Sequence, residues 1–291
     1  AQFLGTSTYL QLLMKVWLEE QKLTRVTVSI ATLTAFVAVV TVSCARSNEV
    51  LVTEIGVSPP KSPTSKPSKA GDFYTQGQYR HIKGDTQGAI AAYTEAIKLN
   101  PQYAQAYNGR GLVHFDLGDK EKAIADYSQA IRLFLNYAEA YNNRGNARAS
   151  TGDLNGAILD YNEAIRIAPN YAEAYNNRGN AYAALGKRKE AIADYDQAIR
   201  LNPKYAVAYN NRGNARSAEG DKQGAINDFD QAIRLNPNFA AAYNNRGNTR
   251  AAIGDKQGAT SDLQQAAKIF QKQKNTELYQ QVMQNINDLQ R

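Results

Sequence analysis

The chain has 291 residues, 43% of them hydrophobic and 21% charged, with a formal net charge of +7. This balance excludes a disordered polyelectrolyte, and the interspersed charges of both signs read as a solvated surface rather than a nucleic-acid stripe. Cys44 is the only cysteine and His81 and His114 the only histidines, which excludes a disulfide framework, a cysteine-rich zinc site and a histidine metal centre.

In chain order, Met14 offers an internal start, and residues 14–25 form a charged stretch. Residues 26–44 (VTVSIATLTAFVAVVTVSC) then carry no charge and end with small Ser43 before Cys44. That order reads as a secretory signal, and the uncharged run is also long enough to span a bilayer. Three readings stay open: cleavage before Cys44, an uncleaved anchor, or cleavage at another small residue. The segment resembles a bacterial lipoprotein signal, which implies that Cys44 becomes the lipidated N-terminus. Thr41 departs from the leucine usual three residues before that cysteine. Ala45 follows Cys44 where aspartate would retain such a protein at the inner membrane, so by the same resemblance nothing retains it there. Residues 45–69 form a linker whose end, SPPKSPTSKPSK, stays extended and wet because proline, serine and lysine cannot pack. The first 44 residues are thus expected to anchor the chain on the extracytoplasmic side of a membrane.

From residue 70 the sequence repeats every 34 residues, as 70–103, 104–137, 138–171, 172–205, 206–239 and 240–273. Such a period marks stacked supersecondary units, each burying its face on its neighbours. Each unit holds two helical segments around a turn at Gly84, Gly118, Gly152, Gly186, Gly220 or Gly254, where glycine supplies a left-handed residue. Pro101, Pro169, Pro203 and Pro237 stop the second segments; Leu135 and Gln271 stand where the other two prolines belong. Gly77, Gly111, Gly145, Gly179, Gly213 and Gly247 in the first helices, and alanines early in the second, allow close helix approach. Large residues at Phe73, Tyr107, Tyr141, Tyr175, Tyr209 and Tyr243 and at Tyr93, Tyr127, Tyr161, Tyr195 and Phe229 are expected to be core. Tyr103, Tyr137, Tyr171, Tyr205 and Phe239 precede the first helices as hydrophobic staples. Residues 274–291 read as a capping helix with Leu278, Tyr279, Val282, Met283, Ile286 and Leu289 on one face.

The pattern resembles the tetratricopeptide repeat family. The resemblance implies an all-α solenoid, a right-handed superhelix of antiparallel helix pairs whose first helices line a concave groove. It implies a non-catalytic scaffold that binds an extended segment of a protein partner, in the form of an assembly factor or adaptor. Alternatives are a structural envelope protein that binds glycan or self-associates, and an accessory subunit of an enzyme encoded elsewhere. No nucleophile arrangement or phosphate loop is present, and no cofactor or nucleic-acid partner is implied.

Two polar patterns stand out. Arg110, Arg144, Arg178, Arg212 and Arg246 replace the usual leucine, and Asp126, Asp160, Asp194, Asp228 and Asp262 follow sixteen residues later. In the first unit both change together, to Gln76 and Ala92, so each Arg is expected to pair with its Asp. Asparagines also recur: Asn142, Asn143 and Asn146; Asn176, Asn177 and Asn180; Asn210, Asn211 and Asn214; Asn244, Asn245 and Asn248. The first and third of each set are four apart and share a face, with the second beside it. Stacked, they form ladders expected to hold a peptide backbone, since an amide both donates and accepts. The resemblance carries the same implication. The first unit has Tyr74, Thr75 and Gln78 instead, which centres binding on units three to six. Glu139 and Glu173 leave no carboxylate clamp and favour a neutral or modestly basic peptide. The competing reading is that the asparagines bond neighbouring helices.

Overall fold

The computed structural model describes residues 68–290. Residues 1–67, including the signal-like stretch, Cys44 and nearly all of the linker, lie outside the described residues. Among the described residues there are thirteen α-helices and no strand: α1 (Ala70–Ile82), α2 (Thr86–Leu99), α3 (Ala104–Asp116), α4 (Lys120–Leu133), α5 (Ala138–Ser150), α6 (Leu154–Ile167), α7 (Ala172–Ala184), α8 (Arg188–Leu201), α9 (Ala206–Glu219), α10 (Lys222–Leu235), α11 (Ala240–Ala252), α12 (Lys256–Lys272) and α13 (Thr276–Leu289). Odd-numbered helices to α11 are first helices and the even ones second helices.

The turn inside each unit is made by glycine. All six turn glycines have positive φ, from 74° at Gly186 to 96° at Gly220. In the third unit the Gly152 N–H donates to Ala149 O at 3.1 Å and the Asp153 N–H to Arg148 O at 3.0 Å. This pair satisfies the last carbonyls of α5 and reverses the chain. The aspartate then caps the second helix: the side chains of Asp85, Asp153, Asp221 and Asp255 accept from the N–H of Gly88, Gly156, Gly224 and Gly258. Asp119 instead pairs with Lys122 at 2.6 Å, and Lys187 caps nothing.

The core runs through the stack, between the two helices of a unit and between each second helix and the next first helix, as where Ala157, Ile158 and Tyr161 cluster with Ala181. Tyr93, Tyr127, Tyr161, Tyr195, Phe229 and Leu263 are fully buried. Each lies against the glycine of its first helix: a Cβ at Gly145 would meet Tyr161 Cε1 at 2.6 Å. Two expectations need correction. The first-helix tyrosines, from Tyr107 to Tyr243, are half-buried: Tyr107, Tyr141 and Tyr243 pack against the core from its edge, and the arginine three residues on covers each ring, with guanidinium-to-centroid distances from 5.4 Å at Arg212 to 5.6 Å at Arg110. The aromatic residues before each first helix occupy the N-cap position itself, not the staple position before it, and make no capping bond with their side chains.

Proline is not needed to stop the second helix. Phe134 ends α4 with φ −140° and ψ 93°, close to the −141° and 93° of Asn100. At Gln271 the helix does continue: α12 has 17 residues where the other second helices have 14, and Lys274, at φ 57°, closes the next turn. The added turn begins with Phe270, which with Leu263, Ala266, Ala267 and Ile269 receives Val282 and Ile286 of α13. The outer side of α13, with Gln280, Gln284 and Asn287, is polar, so it closes the apolar end of the stack.

Each second helix packs between its own first helix and the next. Consecutive first helices also approach one another, whereas no consecutive second helices approach as closely. The stack therefore curves toward its first helices, whose free sides form the inner face. Among the described residues no helix is long and apolar enough to cross a membrane.

Candidate peptide-binding face

Two polar systems run along the array, and together they decide which first-helix side chains remain accessible. The first is a rail of arginines. In all five units the Arg Nε and Nη2 donate to the two oxygens of the Asp sixteen residues on, as in Arg178 to Asp194 at 2.8 and 2.6 Å. This fork-to-fork geometry is specific to guanidinium. The remaining Nη1 reaches back sixteen residues to the second helix of the preceding unit, to Thr94, Ser128, Asn162, Asp196 and Asp230. One side chain thus ties three helices across a unit boundary. This third contact was missed, although an unbroken column of oxygen-bearing residues was there to signal it.

A second cation joins the rail in three units: Arg148, Arg216 and Arg250 donate to Asp160, Asp228 and Asp262 at 2.9, 3.0 and 2.8 Å. At that position the second unit has His114, 3.9 Å from Asp126, and the fourth has Tyr182. Asp194 therefore has one guanidinium instead of two. Burial outweighs that single partner and pushes its carboxyl above the usual carboxylate range. Burial also pushes the His114 imidazole below its usual value.

The second system is the asparagine ladder. The Nδ2 groups of Asn143, Asn177, Asn211 and Asn245 donate to Oδ1 of Asn108, Asn142, Asn176 and Asn210 in the preceding unit, at 3.0–3.1 Å. The acceptors are buried, Asn142 at 5% exposure and Asn176 and Asn210 at 2%. The expected geometry is thus altered: Asn142, Asn176 and Asn210 lie between first helices, behind the face rather than on it. The accessible pair in each unit is the second and third asparagine, at i and i+3. Asn146 and Asn180 accept from the hydroxyls of Tyr161 and Tyr195 at 2.8 Å. Phe229 and Leu263 stand in place of those tyrosines, and the half-exposed Asn214 makes no side-chain hydrogen bond among the described residues. The ladder stops at α13: Tyr279 falls where the next asparagine belongs, and Asn244 Oδ1 is buried without a partner. Asn285 of α13 reaches Asn248 instead, at 3.4 Å.

The inner face therefore carries half-exposed amides with spare donors or acceptors, bounded by the half-buried N-cap rings of Tyr103, Tyr137, Tyr171, Tyr205 and Phe239. Its chemistry is hydrogen bonding and stacking. Among the described residues no group of His, Cys, Asp and Glu is arranged to hold a metal.

Family models described as TPR repeat match residues 77–118, 113–152 and 145–186, and a model described as tetratricopeptide repeat matches 172–205 and 206–239. No curated protein matches the chain. Among solved structures, MamA is 30% identical with a TM-score of 0.50, covering 55% of this chain and 93% of MamA. YrrB, described as a TPR protein with an unusual peptide-binding site, is 25% identical with a TM-score of 0.51, covering 62% of this chain and 93% of YrrB. PilF of Pseudomonas aeruginosa, at 17% identity, TM-score 0.64 and coverage of 74% and 97%, shares the fold. The continuous run of family matches, the helix pairs turned by glycine and the likeness to MamA and YrrB have one meaning: the chain belongs to the tetratricopeptide repeat family.

Proposed function

We propose that this protein is a membrane-tethered scaffold whose inner face captures an extended segment of a partner protein, in the manner of an assembly factor. The tetratricopeptide fold is a protein-interaction fold, and the observation that carries the finer reading is the accessible row of amides from Asn143 to Asn248. Half-exposed groups with spare hydrogen-bonding capacity, backed by a buried ladder that fixes their spacing, suit a peptide backbone. The likeness to YrrB, a TPR protein with a peptide-binding site, supports the same reading. The polar outer side of α13 disfavours end-to-end self-association of the solenoid at its C-terminal end. The tether belongs to residues 1–69, with Cys44 as the lipidated residue; fatty-acid labelling that is lost in Cys44→Ser supports it, and absence of label on the wild type refutes it.

The test of binding is a photo-crosslinking residue placed in the full chain at Asn214, on the inner face, or at Leu159, which is 65% exposed on a second helix. In native membranes a discrete crosslinked partner is expected from position 214 and not from 159. A partner captured from 159 alone moves the site to the outer surface and overturns the proposal.

A further inference from the structure

The inner face has a charge character opposite to that of the whole chain. The net charge is +7, yet the first-helix arginines are turned onto buried aspartates. Arg144 and Arg178 carry 16% and 20% side-chain exposure. What stays on the accessible side of the first helices is amide, small residue and carboxylate. Glu139 and Glu173 hold one register, thirty-four residues apart, in the first turns of α5 and α7, two helices in direct contact. Neither makes an ion pair among the described residues, a state they share with Glu121, Glu190 and Glu277 but not with Glu95, Glu163 and Glu219. A helix N-terminus favours a glutamate in its first turn, but that leaves unexplained why the same register holds Gln105, Val207 and Ala241 elsewhere. The two carboxylates are confined to the third and fourth units.

Aromatic rings and amides complete the setting. Tyr137 and Tyr171 are the N-cap residues of α5 and α7, two positions before each glutamate. Burial is what chiefly raises the Tyr171 and Tyr137 hydroxyls; both carboxylates add to it at Tyr171, and Glu139 at Tyr137. Packed helices stand about 8–10 Å apart, so one cationic head entering between α5 and α7 meets both carboxylates and an aromatic face. One turn along, four residues from each glutamate, are Asn143 and Asn177, with amide groups placed for a backbone.

We propose that the groove selects a peptide bearing lysine or arginine, whose cationic side chain docks between Glu139 and Glu173 beside Tyr137 and Tyr171 while Asn143 and Asn177 hold its backbone. This rests on the peptide-binding reading above and adds the charge of the occupant.

The test uses the full chain and three fluorescein-labelled peptides of equal length, in which serine alternates with lysine, glutamate or alanine, read by anisotropy. The lysine peptide is expected to bind tightest and the glutamate peptide weakest. Glu139→Gln with Glu173→Gln is expected to weaken the lysine peptide about tenfold, the scale of two exposed ion pairs, and to leave the alanine peptide unchanged. Glu163→Gln, on the outer surface, is expected to change neither. Helical circular dichroism checks that the variants fold. If the double variant binds the lysine peptide as the wild type does, or the wild type binds lysine and alanine peptides equally, cation selection is overturned while a crosslink from position 214 keeps peptide binding standing. If no peptide binds and position 214 captures nothing, both readings fall together.

Discussion

Replacing Arg178 with leucine isolates what the arginine rail contributes. The change removes two charged donors from Asp194, at 2.8 and 2.6 Å, and the 2.7 Å tie to Asn162 in the preceding unit. Asp194, at 6% exposure, is left as a buried carboxylate with no cation, since Tyr182 stands where other units carry a second arginine. Breaking one side of a buried pair costs about 3–5 kcal/mol, against ~0–1 kcal/mol for a solvated one. The pH dependence has a definite sign. The folded Asp194 carboxyl already lies above its ordinary value of 3.8 because burial dominates, and losing Arg178 raises it further. The folded state then binds that proton more readily than the unfolded state, so the penalty is full at neutral pH and shrinks as pH falls toward the ordinary carboxylate range. Arg178→Leu with Asp194→Leu should recover most of the loss. Urea unfolding by circular dichroism at neutral and mildly acidic pH measures this. Hydrogen exchange in α7 and α8 localises it, since a repeat array need not unfold in one step. A loss below about 1 kcal/mol that ignores pH, with no repair by the double variant, would show the pair to be solvated and refute the reasoning.

Gly145→Ala sets a methyl 2.6 Å from Tyr161 Cε1 and should cost about 1–3 kcal/mol by thermal melting, whereas Gly71→Ala, with nothing within 4 Å, should not destabilise. Asn177→Ala orphans the buried Asn142 oxygen and should cost about 1–3 kcal/mol in urea, a structural loss that precedes any effect on binding. Removing residues 276–291 uncovers Leu263, Ile269 and Phe270 and should bring soluble aggregates in light scattering; identical melting and solubility would contradict the capping role. His114 is held below its ordinary 6.5 by burial, so stability should fall as pH drops below that value, and His114→Arg, matching Arg148, should abolish the dependence in pH-resolved melts.

The sequence alone determined the repeat, the helix pairs, the glycine turns and the pairing of each Arg with its Asp. These contacts lie within one unit and recur in register, so the joint change to Gln76 and Ala92 was enough to expose a pair. Tertiary structure decided what depends on how one unit sits on the next. The rotation of successive first helices buried Asn142, Asn176 and Asn210 and left Asn143 and Asn146 with their counterparts outside. A helix places neighbouring side chains about 100° apart, so a modest rotation of the stack changes which asparagine meets a ligand and which meets the adjoining helix. The same stacking carried Arg Nη1 to the preceding unit and set Glu139 and Glu173 in one register on two touching helices. Periodicity fixes what each unit contains, while the packing angle between units, which no single repeat encodes, fixes which of its residues reach solvent.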